Sequence, residues 1–282
     1  MTYVAGLNSL TEHYRAVFLD AFGVLYSAGK AVEGTAKLLK QLRESGLLLR
    51  VLTNNASLSS QQLADKFLKL GFDISAEEII TSGQAIFSDA GQQALGDQPY
   101  LFMGRSASVE HYAPNAAEKM VNYPGRQTAF SQAEALLICS DSEFYGTPLQ
   151  TQIEAELAQR PRPIILANPD LITPAGTCGL EMVAGMTAHM LVEQYGGSLL
   201  CLGKPFPPIY QMAIDSLPTI PRNKILMVGD TLETDILGGC HMGLDTCLVH
   251  HGIYHSLSHD ELVAMCQRQG IHPSWIVPTI AG

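Results

Sequence analysis

Four short segments of the 282-residue chain carry the side chains best suited to chemistry. Asp20 follows Val17-Phe18-Leu19 and precedes Ala21-Phe22-Gly23-Val24-Leu25. Thr53-Asn54-Asn55 closes a second apolar run, and Lys204 sits in Leu202-Gly203-Lys204-Pro205. Asp230 and Asp235 lie in Gly229-Asp230-Thr231-Leu232-Glu233-Thr234-Asp235. Carboxylates that converge on one point repel one another unless a cation sits among them. A hard divalent ion with oxygen ligands, Mg²⁺ above all, removes that cost. A lysine and a Thr/Asn pair are suited to holding phosphate oxygens. A carboxylate beside a metal-neutralised phosphoryl group can attack it and form an aspartyl-phosphate. Taken singly, each residue has a plainer reading: Asp20, Asp230 and Asp235 as turn or helix-cap residues, Lys204 as a surface lysine, and Thr53 and Asn54 as turn chemistry.

The elements that must position these residues are legible as apolar runs. Residues 16–19, 47–52, 225–228 and 246–249 are short runs, mostly apolar, that end at turn or polar residues. Such runs suit strands buried on both faces of a parallel sheet. Between the first two lies a stretch with helical spacing, 34–45, with Leu38, Leu39 and Leu42 on one face. A second, 60–70, follows with Leu63, Phe67, Leu68 and Leu70. The alternation predicts a doubly wound α/β domain with a Rossmann-like parallel sheet, whose carboxyl edge is where ligands bind. The middle has strands of its own at 100–103, 135–139 and 164–167 and helices at 147–159 and 181–195. Joints at Pro124-Gly125, Asn168-Pro169-Asp170 and Pro174-Ala175-Gly176 separate them. The predicted organisation is a core of 1–81 plus 200–282 interrupted by an α/β domain over 82–199.

Composition narrows the function classes. The chain is 46% hydrophobic and 16% charged, ample for a buried core. With 17 Lys+Arg against 27 Asp+Glu, the formal charge is −10, and no basic cluster argues for nucleic acid held by its phosphates. The first apolar run, 16–19, is too short for a secretion signal or a membrane span, so no membrane partner is expected. Cys139, Cys178, Cys201, Cys240, Cys247 and Cys266 form no C-x-x-C pair and read as reduced thiols, buried as small hydrophobes, in a cytoplasmic protein. Asn55-Ala56-Ser57 matches a glycosylation sequon and carries no weight without a secretion signal. His250, His251, His255 and His259 lack zinc-site spacing and read as loop and helix-surface residues. Met182, Met186 and Met190 read as packing.

The four segments, in this order, resemble the motifs of the haloacid dehalogenase superfamily: D-x-x-G-V-L at Asp20, a strand-terminal Thr53, Lys204, and G-D-x-x-x-T-D from Gly229 to Asp235. The long insertion falls between the second and third motifs. Together with T-N-N-x-S, A-N-P-D and L-G-K-P, that is similar to subclass IIA, which includes p-nitrophenyl phosphatases and sugar and nucleotide phosphatases. The resemblance implies a core with an inserted α/β cap and a Mg²⁺-dependent phosphohydrolase acting on a small phosphorylated metabolite through an aspartyl-phosphate. It implies Asp20 as nucleophile and metal ligand, the Phe22 carbonyl and Asp230 as further ligands, and Asp235 supporting the metal from outside its immediate ligands. Thr53 and Asn54 would hold the phosphoryl group, and Lys204 would neutralise it and orient Asp20. Relatives of this subclass often pair through their caps, which leaves a homodimer through the cap as an option.

One position departs from the pattern. Phosphatases of the superfamily carry D-x-D, the second aspartate protonating the leaving oxygen and later activating water. Here that position is Phe22, which can do neither. General acid–base help is worth ~10²–10⁴ in rate, so its loss falls hardest on alkyl phosphates and least on aryl or acyl phosphates. Phe22 therefore also admits a rival, a phosphometabolite-binding sensor with weak or no turnover. Phosphonate or halide chemistry ranks low, because Gly23 to Thr53 is too short for the cap those relatives carry there.

Overall fold

A computed structural model describes residues 1–112, 132–140, 144, 146–175 and 179–281. Two compact units emerge: Met1–Thr53 with Ser60–Ile80 and Lys204–Gly282, and Asn54–Ser59 with Thr81–Gly203.

The first unit is built on a seven-stranded sheet. Its order is Thr2–Tyr3, Trp275–Val277, Asp245–Val249, Ile225–Gly229, Ala16–Asp20, Leu48–Thr53 and Ile79–Thr81. Ala16–Asp20 runs parallel to both its neighbours, with Val17 opposite Leu226 on one side and Leu49 on the other. All five residues of Ala16–Asp20 and all five of Ile225–Gly229 are buried, as strands covered on both faces require. After Ala16–Asp20 the chain pairs first with Leu48–Thr53 on one side, then with Ile225–Gly229 on the other. This reversal is a topological switch point, which leaves a crevice at the carboxyl ends of the three central strands.

The helix Thr35–Glu44 buries Leu38, Leu39 and Leu42, and Gly34 before it takes φ +79°, open to glycine at little cost. Ser60–Lys69 buries Leu63, Ala64 and Phe67 at helical spacing. Leu68, expected on the same face, is 69% exposed, since it lies one residue and so about 100° around the helix from Phe67. Leu70 lies just beyond the helix and is partly buried.

The second unit carries its own parallel sheet of four strands: Leu199–Cys201, Ile164–Leu166, Ala135–Ile138 and Tyr100–Met103. Its core packs Leu101, Leu136, Ile138, Ile164 and Leu166 against Ile153 and Leu157 of the helix Pro148–Gln159 and Ala188 and Leu191 of Ala184–Tyr195. Leu199–Cys201 pairs with Ile164–Leu166, so this unit keeps the chain as far as Gly203, beyond the expected boundary at 199. It also takes in Asn54–Ser59 from the turn after Thr53. The helix expected over 181–195 begins only at Ala184, because Gly179–Met182 pairs antiparallel with Ile172–Ala175. Pro174 is tolerated within that two-stranded ribbon, where each strand has an unpaired side for a residue lacking an N–H. The expected turns at Pro124-Gly125 and at Gly176, and Cys178, lie outside the described residues.

Candidate functional site

The switch point gathers five of the residues singled out from the sequence. Asp20 ends the central strand and Thr53 ends the neighbouring one, each 7% exposed, while Asp230 directly follows Ile225–Gly229. Lys204 opens the return from the second unit, and its ammonium donates to Asp20 Oδ1 at 2.5 Å and to Asp235 Oδ1 at 2.7 Å. Asp20, Asp230 and Asp235 present carboxylate oxygens that all lie within 4.8 Å of one another. Among the described residues, this is the group of His, Cys, Asp and Glu side chains close enough to share an ion.

Asp235 owes its place to an uncommon turn. Leu232–Ile236 forms a π-helical turn, in which the amides of Asp235 and Ile236 both donate to the Thr231 carbonyl. Single π turns concentrate at functional sites, where their wider register re-aims a side chain. The Asp235 carboxylate is fully engaged: Oδ1 accepts from Lys204, and Oδ2 accepts from the Thr231 amide at 3.2 Å. Asp230 accepts from the Thr231 hydroxyl at 3.1 Å and from the Ile253 amide. Glycines make the close packing possible. A methyl at Gly23, which has φ +87°, would fall 1.9 Å from Asp230 Oδ2, and one at Gly252 2.2 Å from its Cβ. A methyl at Gly229 would fall 2.1 Å from the Asp235 Cβ.

Electrostatics then decides what the cluster needs. Three ionised carboxylates around the Lys204 ammonium would leave a charge of −2. At 4.8 Å and an effective dielectric near 20, each pair repels by roughly 3 kcal/mol. Burial pushes the Asp20 carboxyl well above the usual aspartate range; Lys204 opposes the rise, and Asp235 and Asp230 reinforce it. Burial, then Asp235, pushes Asp230 up to about 7. Burial alone would lower the Lys204 ammonium, but Asp20 and Asp235 outweigh it and hold Lys204 above the usual lysine range. The cluster therefore takes up protons, or a cation replaces them. An all-oxygen, anionic donor set is the kind that hard divalent ions prefer, so the residues present fit Mg²⁺.

The remaining sequence candidates are placed differently. Asn54 falls in the second unit, where its amide nitrogen donates to Asp170 Oδ1 at 2.7 Å. Asn168 makes the expected turn, its Oδ1 accepting from the Asp170 amide, and Asn55 Oδ1 likewise accepts from Ser57 and Leu58. Phe22 is 39% exposed, and its ring meets Tyr26 edge-on at 5.6 Å. Lys66 places its ammonium 3.9 Å above the same Tyr26 ring. His250 bonds the Leu257 carbonyl and His259 meets Tyr3 edge-on, contacts of packing. Cys139, Cys201, Cys247 and Cys266 are buried, but Cys240, expected inside, is exposed. It ends up outside because it sits near the end of the short helix Leu237–His241, whose buried positions are Gly238 and Gly239. Met186 is partly buried and Met190 is 44% exposed, so of these two only Met186 packs as expected; the Met182 side chain lies outside the described residues. Thr231, Gly252 and Tyr210 are parts of the site that sequence reasoning did not single out. Thr231 adjoins the Gly-Asp motif and could have been suspected from it. Gly252 and Tyr210 have no local signal.

Comparison with known proteins identifies the family. A family model described as haloacid dehalogenase-like hydrolase matches residues 17–114, and a second, HAD-hydrolase-like, matches 201–282. An acid sugar phosphatase of Staphylococcus aureus is 26% identical over 251 residues, spanning 86% of this chain and 88% of its own. The structure of a possible sugar phosphatase of the HAD superfamily from Cytophaga hutchinsonii superposes with a TM-score of 0.86 at 30% identity, over 100% of this chain and 99% of that one. A Mycobacterium tuberculosis glycerol phosphate phosphatase, solved in complex with magnesium, shares the fold at 22% identity and a TM-score of 0.75, over 96% of this chain and 76% of that one. With its motifs in order along a doubly wound α/β core and its long insertion between Thr53 and Lys204, the chain belongs to the haloacid dehalogenase superfamily of hydrolases.

Proposed function

We propose that this protein is a Mg²⁺-dependent phosphohydrolase of a small phosphorylated metabolite, a sugar phosphate, nucleotide or similar compound, working through an aspartyl-phosphate on Asp20. The observation that carries the reading is the buried meeting of Asp20, Lys204, Asp230 and Asp235 at the switch point. Asp20, Asp230 and the Phe22 carbonyl would hold the ion, with Asp235 supporting from behind; when bound, the ion neutralises phosphoryl charge and lets an anionic nucleophile approach.

Asp20 Oδ attacks phosphorus, a new Asp20–phosphate bond forms, and the ester bond to the leaving oxygen breaks with its electron pair. Water then attacks the phosphorus, the Asp20–phosphate bond breaks, and free phosphate leaves with the carboxylate restored, one water proton staying on the phosphate and the other passing through solvent to the leaving oxygen. Lys204 offsets charge on the transferring group and holds Asp20 in place through the 2.5 Å contact. Thr53, at the adjacent strand end, offers a hydroxyl to the phosphoryl oxygens. Asn54, engaged by Asp170, serves more as a brace for the turn after Thr53 than as a second phosphate donor. The acid sugar phosphatase and possible sugar phosphatase among the relatives support a sugar phosphate as the first substrate class to screen.

Hydrolysis of p-nitrophenyl phosphate, with and without Mg²⁺, tests the reading. Asp20→Asn should cost at least ~10³ in kcat, as loss of a covalent nucleophile does elsewhere. Equal turnover by wild type and Asp20→Asn would remove the nucleophile. Phe22→Asp should raise turnover of alkyl phosphates by up to ~10² and change acyl phosphates little. Phe22 also favours the second reading, a sensor that binds phosphometabolites. Saturable binding of sugar phosphates with no phosphate release from any member of a broad panel would establish it.

A further inference from the structure

We propose that Tyr210 is a positioning residue that sets how the Lys204 ammonium is divided between Asp20 and Asp235. The inference rests on the phosphatase reading above and names a part of that site which neither motif nor family resemblance marks. Lys204 has two carboxylate partners at nearly equal distance, 2.5 and 2.7 Å. If Asp235 drifts away, Asp20 takes a larger share of the ammonium, which ties up the nucleophile. If Asp235 closes in, Asp20 loses the cation that orients it. The division therefore depends on where the Leu232–Ile236 turn holds Asp235 relative to the segment that carries Lys204.

Tyr210 connects those two segments. It lies on the helix Pro207–Asp215, which begins three residues after Lys204, and its side chain is fully buried. Its hydroxyl donates to the Thr234 carbonyl at 2.9 Å and leans toward the Asp235 carbonyl at 3.2 Å. Both acceptors belong to the π turn itself, one of them on the residue whose carboxylate faces Lys204. The ring reaches them because residue 238 is glycine: a methyl there would fall 2.4 Å from Tyr210 Cε2 and 2.6 Å from its oxygen. Phenylalanine would fill the same space. The buried hydroxyl adds one thing to that packing, a tie between the two ends of the Lys204–Asp235 contact.

The test pairs Tyr210→Phe with Tyr14→Phe. Tyr14 also carries a buried, doubly bonded hydroxyl, to Asp245 and Trp275, in the same unit but outside the carboxylate cluster. Tyr14→Phe loses a bond to a carboxylate and one from an indole, Tyr210→Phe bonds to two backbone carbonyls, so Tyr14→Phe should lower the melting temperature at least as much. Mg²⁺ affinity measured by calorimetry, with the metal alone, should separate them. Tyr210→Phe should bind Mg²⁺ ~10–100-fold more weakly, the usual cost of losing a group that orients a ligand, and lower kcat on p-nitrophenyl phosphate with little change in KM. Tyr14→Phe should match wild type in both. Gly238→Ala, which presses on the same ring, should repeat the Tyr210→Phe profile and stands in if that variant does not fold. Wild-type Mg²⁺ affinity and kcat in Tyr210→Phe, or an equal loss in Tyr14→Phe, would overturn the assignment while leaving the phosphatase reading intact. A wild-type protein that neither binds Mg²⁺ nor releases phosphate would sink both.

Discussion

The two parallel sheets of this molecule are built alike and end differently. In the seven-stranded sheet the central strands run out into Asp20, Thr53 and Asp230. In the four-stranded sheet the corresponding residues are Met103-Gly104, Ile138-Cys139, Leu166-Ala167 and Cys201-Leu202, without a charge among them. Both architectures offer a carboxyl edge, but among the described residues the clustered carboxylates lie at the edge of the seven-stranded one. The second unit is held by apolar burial, which is non-directional and tolerant of volume-conserving change. The first holds repelling charges at its centre and depends on Lys204, glycines and a π turn to keep them there. A parallel sheet makes a place for chemistry. Buried like charges are what set this edge apart from the other.

That contrast can be broken by substitution, and the expected effects fall in order. Lys204→Met leaves three buried carboxylates without their ammonium, and should cost the metal-free protein ~3–5 kcal/mol in denaturant unfolding and nearly all phosphatase activity. An unchanged unfolding midpoint would show that the cluster is not held by charge. In the second unit, Leu137→Ala should cost ~2–5 kcal/mol through its cavity, yet leave the Mg²⁺ affinity of the first unit as it was. Gly23→Ala, with its methyl driven against Asp230 and an unfavourable φ, should cost ~1–3 kcal/mol and weaken Mg²⁺ binding.

Asp230→Asn is the subtlest and sharpens the contrast most. Removing one of the repelling charges should stabilise the metal-free protein at pH 8 by ~1 kcal/mol while abolishing Mg²⁺ binding, the reverse of what truncation does in an apolar core. The pH dependence follows from the raised Asp230 carboxyl. A group held above its ordinary value keeps a proton in the folded state that the unfolded chain releases. Its contribution is fully present below about pH 4 and lost as pH rises through about 7. Without Mg²⁺, wild type should lose melting temperature relative to Asp230→Asn across that window, and saturating Mg²⁺ should erase the loss. Parallel curves for the two proteins, with no divergence between pH 4 and 7, would contradict the strained cluster.

Much of this arrangement was legible residue by residue. Asp20, Thr53 and Asp230 stood out because apolar runs of strand length ended on them, and a parallel sheet gathers such ends at one edge; Lys204 stood out through its Gly203 and Pro205 neighbours. The helices Thr35–Glu44 and Ser60–Lys69 were visible through their leucine spacing. Leu68 misled because a leucine inside a periodic stretch looks the same whether it faces core or solvent. The ribbon of Ile172–Ala175 and Gly179–Met182 was missed because Pro174-Ala175 read as part of a joint between elements, and only pairing makes that stretch a strand.

By itself, then, the order of residues determined the fold class and the four segments that meet, since both follow from local patterns of burial and from the chirality of parallel crossovers. Tertiary structure alone decided the rest: that Asp235 leans on Lys204 through a π turn, that Asn54 answers to Asp170 some 116 residues away, and that the Tyr210 hydroxyl bonds the carbonyls of that π turn. Those contacts join side chains with no shared periodicity. Nothing in a linear pattern encodes a distance between them until the chain has closed around it.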